Sequence, residues 1–236
     1  MKTDVYITGM SNTDAIAAAL RTYDGPLKFE IDRLNPKINT ESFTGAKANP
    51  VYFRPRLQAK LVVFALWGNW YNTIAIVEHP EPFDFIYPGV DETVDAGRRI
   101  IPFAQMKRIV NNNVRYRLEM VKTLAPLTNS KILMMEPPPP IEDENHILKF
   151  PGAFSEAVTV GVTPAPIRRK LWKLQSQVYS DLSEETGMEF FPFLPEAMSP
   201  SGYLAPEYCY RDPTHANAKY GEMVVSELEK IHRTIQ

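Results

Sequence analysis

A continuous apolar run at residues 61–66, Leu-Val-Val-Phe-Ala-Leu, constrains the fold of this chain more than any other segment. A strand with one face in water would alternate polar and apolar residues, and this run contains no polar residue. It therefore predicts a central strand of a parallel sheet, buried on both faces. Such a sheet needs helices on both sides to cover it.

Strand-like and helix-like segments alternate along the rest of the chain, which is typical of parallel βαβ units. We predict strands at residues 5–8, 28–31, 61–66, 131–135 and 188–191. We predict helices at residues 14–23, 101–124, 166–186 and 214–232, with Gly187 as the C-terminal cap of the third. Two stretches with many prolines, 80–96 and 137–164, are expected to form stiff loops over the sheet edge.

Size and charge restrict the class of protein. A chain of 236 residues fits one α/β domain, so we expect residues 1–236 to form a single unit. The formal net charge of −2 gives no electrostatic reason to expect binding to nucleic acid or to an anionic membrane. The basic triplet Arg168-Arg169-Lys170 is interpreted as a solvated helix face.

The single cysteine, Cys209, excludes an intrachain disulfide framework and suits a reducing compartment. The N-terminus lacks the apolar core of a secretory signal, and no segment has the ~18 apolar residues of a membrane span. We therefore expect a soluble cytoplasmic protein. Cys209 has no base near it in sequence and is interpreted as a structural thiol.

Polar residues that suit catalysis follow three of the predicted strands. In an open parallel sheet, sites form outside the carboxyl ends of the strands. Ser11 follows the first strand and precedes an alanine-rich helix, and Asn69 follows the 61–66 run. Asp212 and His215 follow the fifth strand, at the expected start of the last helix. Folding is therefore expected to bring these four residues to one edge of the sheet.

These residue types match the requirements of nucleophilic catalysis. A serine hydroxyl needs a base to remove its proton, and His215 is the candidate base for Ser11. Asp212 would hold the histidine tautomer and stabilise the imidazolium. The Asn69 side chain and the Ser11 backbone N–H would donate to the developing oxyanion.

The order and spacing of these residues resemble the SGNH hydrolase superfamily, also called the GDSL esterases. Its first block, Gly-Asp-Ser, is matched in part by Gly9-Met10-Ser11. Its third block, Gly-x-Asn-Asp, is matched in part by Trp67-Gly68-Asn69-Trp70. Its last block, Asp-x-x-His, is matched by Asp212-Pro213-Thr214-His215. The segment around Gly68 also resembles a bacterial branch of this superfamily.

The resemblance implies a three-layer α/β/α sandwich with a flavodoxin-like parallel sheet. It implies Ser11 as nucleophile, His215 as base, Asp212 as acid and Asn69 as oxyanion donor. Gly45 is the candidate for the second-block glycine, another oxyanion donor. The chain departs from the pattern where Met10 replaces an aspartate and where Trp67 and Trp70 replace a glycine and an aspartate.

Two other functions remain open at this stage. Ser11, Asn12 and Thr13 could bind an anion or nucleotide in a flavodoxin-like module without hydrolysis. A degenerate hydrolase that acts as a scaffold is the other alternative. The leading hypothesis is a serine esterase or acyl hydrolase, or an acyltransferase, that acts on a small-molecule or carbohydrate ester.

The other histidines and aromatic residues have less specific interpretations. His79 and His146 lie in loops with many prolines and are expected at the surface, and His232 is expected in solvent. No cluster of histidine, cysteine and aspartate has metal-ligand spacing, so we expect neither a metal nor a cofactor. The three aromatic residues after the 61–66 run fit either a pocket or the core: Trp67, Trp70 and Tyr71.

Overall fold

The structure, a computed structural model, describes residues 3–35, 37, 39–44, 47–66 and 71–235. Within these residues the strands are β1 (Val5–Gly9), β2 (Phe29–Arg33), β3 (Phe43–Thr44), β4 (Lys47–Ala48), β5 (Leu61–Ala65), β6 (Phe83–Asp84), β7 (Arg99–Ile100), β8 (Lys131–Met135) and β9 (Glu189–Phe191). The α-helices are α1 (Thr13–Ala19), α2 (Pro50–Arg56), α3 (Asn72–Ala75), α4 (Phe103–Leu124), α5 (Glu144–Lys149), α6 (Ala165–Thr186) and α7 (Ala218–Thr234).

The central sheet has five strands in the order β2-β1-β5-β8-β9, and every neighbouring pair is parallel. Strand β1 lies between β2 and β5, with Val5 opposite both Phe29 and Leu61. All five residues of β5 are buried, as the continuous apolar run predicts. Helices α1 and α7 contact each other, and α4 contacts α6, so the predicted α/β/α sandwich with a parallel sheet is confirmed.

Helices α1 and α7 approach each other closely at a glycine. A Cβ atom at Gly221 in α7 would lie 2.1 Å from the backbone oxygen of Ala15 in α1. Only a residue without a side chain fits this contact, because a backbone carbonyl has little freedom to move aside. The helix that follows Ser11 and the helix that follows His215 therefore pack against each other in a fixed arrangement.

The short elements α2, α3, β3, β4, β6 and β7 were not predicted, and the last helix and one proline-rich stretch also differ from the sequence-based expectations. The last helix begins at Ala218 and not at residue 214, because Asn217 is its N-cap and accepts a hydrogen bond from the Lys219 N–H at 3.0 Å. The 137–164 stretch contains α5, whereas 137–140, a run of four prolines, is irregular and buried. Gly187 does cap α6, with a left-handed φ of 69°.

The interpretation of the basic triplet as a solvated helix face is wrong. Arg168 and Lys170 are each 1% exposed, and Arg169 is half-buried. The Arg168 guanidinium donates to the carbonyl oxygens of residues 141, 142 and 163. The Lys170 ammonium pairs with Asp84 and also donates to the carbonyl oxygens of residues 85 and 93. Buried cations persist where their donors are satisfied in this way. Both cations therefore tie irregular segments to α6.

None of the helices among the described residues is long and apolar enough to cross a lipid bilayer.

Candidate active site

Ser11 lies immediately beyond the carboxyl end of β1, in the turn that leads to α1. The Met10 N–H donates to the Ala65 carbonyl at 3.0 Å, which extends the pairing of β1 with β5 by one residue. The Met10 carbonyl then accepts from the Thr13 N–H at 3.0 Å and from the Thr13 hydroxyl at 2.8 Å. This turn holds the Ser11 side chain at the edge of the sheet, where sites form in open parallel folds.

The structure brings Ser11, His215 and Asp212 together in one chain of hydrogen bonds. The distance from the Ser11 Oγ to the His215 Nε2 is 2.7 Å, and that from the His215 Nδ1 to the Asp212 Oδ2 is 2.6 Å. Because an aspartate oxygen accepts, the Nδ1 atom carries the proton and Nε2 is left to accept the serine proton. This is the arrangement in which a histidine acts as general base toward a serine.

Asp212 and His215 belong to a turn that we call the acid loop, residues 208–217. The Asp212 Oδ1 accepts from the backbone N–H groups of Thr214 and His215, each at 2.8 Å. The ends of the loop are joined by a hydrogen bond from the Asn217 N–H to the Tyr208 carbonyl at 2.8 Å. The expectation that His215 lies at a helix start is therefore wrong, since the loop closes on itself before α7 begins.

The hydrogen bonds of the acid loop also set the charge of its carboxyl group. Burial alone would raise the pKa of Asp212, but hydrogen bonds from the His215 ring and the backbone N–H groups of Thr214 and His215 hold it below its ordinary value. Asp212 is therefore ionised at neutral pH. The side chains of His215 and Asp212 are 28% and 22% exposed, so the site is open to a ligand.

Of the three expected oxyanion donors, the structure describes only Ser11, whose backbone N–H lies in the turn after β1. Asn69 and Gly45 lie outside the described residues, as do Trp67 and Trp70. Tyr71 is described and is fully buried, and its hydroxyl donates to the Pro138 carbonyl at 3.2 Å. The core interpretation of Tyr71 is therefore the correct one.

One residue that contacts the acid loop was missed from the sequence. His146, in α5, is half-buried, and its Nε2 lies 2.9 Å from the Tyr210 carbonyl and 3.1 Å from the Asp212 carbonyl. A histidine among prolines contains no sequence signal for partners that lie 64 and 66 residues further on. His79 is exposed, as expected, whereas His232 is half-buried and not fully in solvent.

Cys209, also in the acid loop, has the surroundings of a structural thiol. Its sulfur lies 3.6 Å from the Ala205 carbonyl, and burial raises the pKa of the thiol to about 11. A thiol with such a pKa is protonated at neutral pH and is a poor nucleophile.

No family model and no curated protein matches the sequence. Solved structures do match the fold. A Bacteroides fragilis protein proposed to be an acylhydrolase has 13% sequence identity and a TM-score of 0.55 over 100% of this chain and 92% of its own. A GDSL-like lipase from Bacteroides thetaiotaomicron has 12% identity and a TM-score of 0.50 over 98% of this chain and 88% of its own.

A third match is a gut microbial diltiazem-metabolizing enzyme, with 14% identity and a TM-score of 0.51 over 98% of this chain and 47% of its own. At these identities the similarity is one of fold. The fold is therefore the one shared by GDSL-like lipases and acylhydrolases. The resemblance to the SGNH hydrolases is therefore confirmed for the fold.

Proposed function

We propose that this chain is a serine ester hydrolase of the SGNH type. The observation that supports it best is the continuous hydrogen-bonded series from the Ser11 Oγ through the His215 ring to the Asp212 carboxylate. These residues come from opposite ends of the sequence, and the series lies at the carboxyl edge of the sheet, where sites form in this class of fold.

The reaction would proceed by acyl transfer to the serine. His215 Nε2 takes the hydroxyl proton of Ser11 as the Oγ attacks the carbonyl carbon of the ester. The tetrahedral intermediate collapses, the bond to the alcohol oxygen breaks, and the alcohol leaves with the proton from His215. Water then attacks the acyl-serine, gives its proton to His215, and the acid is released as Ser11 takes that proton back.

The negative charge on the intermediate requires donors near Ser11. We assign this role to the Ser11 backbone N–H and the Asn69 side chain, with the Gly45 N–H as a third donor, by resemblance to the SGNH pattern. Preorganised donors of this kind usually lower the barrier by several kcal/mol, about 10²–10³-fold in rate for each.

We propose a small-molecule or carbohydrate ester as the substrate and the cytoplasm as the location, with no nucleic-acid or membrane partner. Acyl transfer to an acceptor other than water would use the same first step. The alternative of an anion-binding module has less support, because the Ser11 and Thr13 hydroxyls are both engaged, with His215 and with the Met10 carbonyl. The hydrogen bonds that join Ser11, His215 and Asp212 likewise favour an active enzyme over a degenerate scaffold.

A fluorophosphonate probe tests this function directly. We expect covalent labelling of Ser11 in the wild type, loss of labelling in Ser11→Ala, and at least ~10³-fold slower labelling in His215→Ala. Ser155→Ala, which removes an exposed serine, is the matched control and should label normally. Folded wild-type protein that remains unlabelled, or a probe attached elsewhere, would contradict the proposal.

A further inference from the structure

The segment from residue 141 to residue 163, which we call the cover, is held to the body of the protein at both ends. One guanidinium contributes to both attachments. Arg168 donates to the Ile141 carbonyl at 2.7 Å and to the Glu142 carbonyl at 3.0 Å at one end, and to the Thr163 carbonyl at the other. The cover is thus a loop whose two ends contact the same buried side chain, and hydrogen bonds of Thr163 with the Ile76 and Val77 carbonyls add to the attachment of the second end.

The middle of the cover is anchored by a small apolar cluster. Ile147 in α5 is fully buried and packs with Ile76, Val158 and Val162. Two of these three partners belong to the cover itself, and the third follows α3. The position of α5 is therefore fixed by packing as well as by the fastened ends.

The cover contacts the acid loop at two places. The His146 Nε2 lies within hydrogen-bond distance of the Tyr210 and Asp212 carbonyls, as described above. At Gly152, where φ is +55°, an added Cβ would lie 3.5 Å from Pro213 Cδ and 4.0 Å from Asp212 Cβ, so the cover backbone lies against the loop. The acid loop is therefore held from outside by an element that contains no catalytic residue.

The His146 contacts restrain the residue that orients the base. Both partners are carbonyl oxygens, which only accept, so Nε2 carries a proton and donates. One of these carbonyls is that of Asp212, whose carboxylate holds the His215 ring. Fixing the peptide that follows Asp212 limits the rotation of that residue. Displacement of a catalytic group by about 1 Å is enough to lower a rate ~10²-fold.

We propose that His146 is a positioning residue for the catalytic acid, and that the cover acts through it to hold Asp212 and His215 in the geometry for catalysis. This role rests on the proposed hydrolase function. It assigns no proton transfer to His146 and no contact with the substrate.

The kinetic test uses three variants of the full chain with an ester substrate. His146→Leu removes the donor, His146→Gln keeps an N–H donor near the Nε2 position, and His79→Leu is the control at an exposed histidine of the other loop. We expect His146→Leu to lower kcat by up to about 10²-fold with KM within about twofold, because a small displacement of the catalytic groups is enough for a loss of this size. His146→Gln should recover most of kcat, and His79→Leu should match the wild type. Equal losses in the leucine and glutamine variants, or a KM effect alone, would overturn the proposal.

A second measurement needs no activity and so separates this inference from the proposed function. NMR of the imidazole nitrogens reports the hydrogen bond between the His215 Nδ1 and Asp212, with the His215 signals assigned by their loss in His215→Gln. We expect these signals to shift in His146→Leu and to keep their wild-type positions in His146→Gln and His79→Leu. His215 signals unchanged in a folded His146→Leu variant would overturn the positioning role, even if Ser11 labels normally. If Ser11 does not label but the signals shift as expected, the proposed hydrolysis fails while the contact stands.

Discussion

The acid loop and the cover lie against each other, yet they are stabilised in opposite ways. The acid loop is held largely by contacts within itself, because the N–H groups of Thr214 and His215 donate to the Asp212 carboxylate and the two ends are joined between Tyr208 and Asn217. The cover depends on distant residues, namely the buried guanidinium of Arg168 in α6 and an apolar cluster that includes Ile76. A motif of four residues can therefore encode the hydrogen bonds within the acid loop, whereas the position of the cover depends on residues that are distant in the sequence.

This difference predicts how the two regions respond to mutation. Substitution of the catalytic side chains in the acid loop should remove catalysis and lower stability only slightly, because these side chains are partly exposed to solvent. Substitution of Lys170, a buried cation in α6 that does not contact the cover, should mainly lower stability, because it leaves several buried partners without a donor.

The largest effect is expected for Asp212→Asn. An amide does not hold the Nδ1–H tautomer of His215, so we expect kcat/KM to fall about 10⁴-fold. The free energy of unfolding should change by only about 1 kcal/mol, because the carboxylate is partly exposed. Ester hydrolysis and urea denaturation of the same sample measure both quantities. If the variant lost activity only because it was largely unfolded, the prediction that Asp212 serves catalysis and not stability would be contradicted.

The stability contributed by Asp212 should also depend on pH in a defined direction. Its pKa in the folded protein lies below the ordinary value of 3.8, so the folded state favours the carboxylate. The contribution is complete above that value and is lost as the pH falls through the lower folded pKa. The difference in unfolding free energy between the wild type and Asp212→Asn should therefore shrink in acid.

Lys170→Met tests the other buried cation of α6, which holds the 84–93 segment much as Arg168 holds the cover, and it should have the largest effect on stability. Lys170 and Asp84 form an ion pair with side chains 1% and 4% exposed, so the variant leaves a buried carboxylate without its cation. We expect a loss of about 3–5 kcal/mol in the free energy of unfolding by urea denaturation. Lys122→Met, at a pair with 43% and 61% exposed side chains, should leave the free energy of unfolding almost unchanged. Similar losses in the two variants would contradict the role of the buried cation.

A smaller effect is expected at the contact between α1 and α7. The Cβ of Gly221→Ala would lie 2.1 Å from the Ala15 carbonyl oxygen, and overpacking of this kind costs about 1–3 kcal/mol. The higher helix propensity of alanine recovers at most about 1 kcal/mol. Thermal unfolding should therefore show a lower Tm. Gly97→Ala, whose nearest neighbour is a side-chain oxygen at 3.3 Å, is the control and should leave Tm almost unchanged.

The smallest perturbation is chemical modification of Cys209 within the acid loop. With a pKa of about 11, the thiol is about one part in a thousand ionised at pH 8, so iodoacetamide should react slowly with the folded protein. Unfolding in urea should restore the rate of an ordinary cysteine. Equal rates in the two states would show that the acid loop is less packed than its contacts indicate.

The sequence was sufficient for the parts of the molecule with local signals. The β5 run, the boundaries of β8 and the cap of α6 follow from apolar patterning and glycine geometry. The pairing of Ser11 with the acid-loop residues was predictable because short motifs follow the ends of parallel strands. The start of α7 was misjudged, because Asp212 and Asn217 both suit an N-cap and sequence does not show which residue starts the helix.

Contacts over long sequence separations were not predictable where no motif marks either partner. Nothing local distinguishes Arg168 and Lys170 from residues of a solvated face, because their partners are backbone carbonyls and, for Lys170, also the Asp84 carboxylate of another segment. The same holds for His146, whose acceptors belong to the acid loop. Buried cations and the histidine that restrains Asp212 become visible only once the sheet has brought these segments together.

The most direct test of the central claim is a double-mutant comparison of Ser11 and His215. If the two residues act as one unit, Ser11→Ala, His215→Ala and the double variant should all lose a similar factor in kcat, because removing one member already abolishes the shared step. All three should unfold at nearly the wild-type urea concentration. Losses in kcat that multiply in the double variant would contradict a shared mechanism.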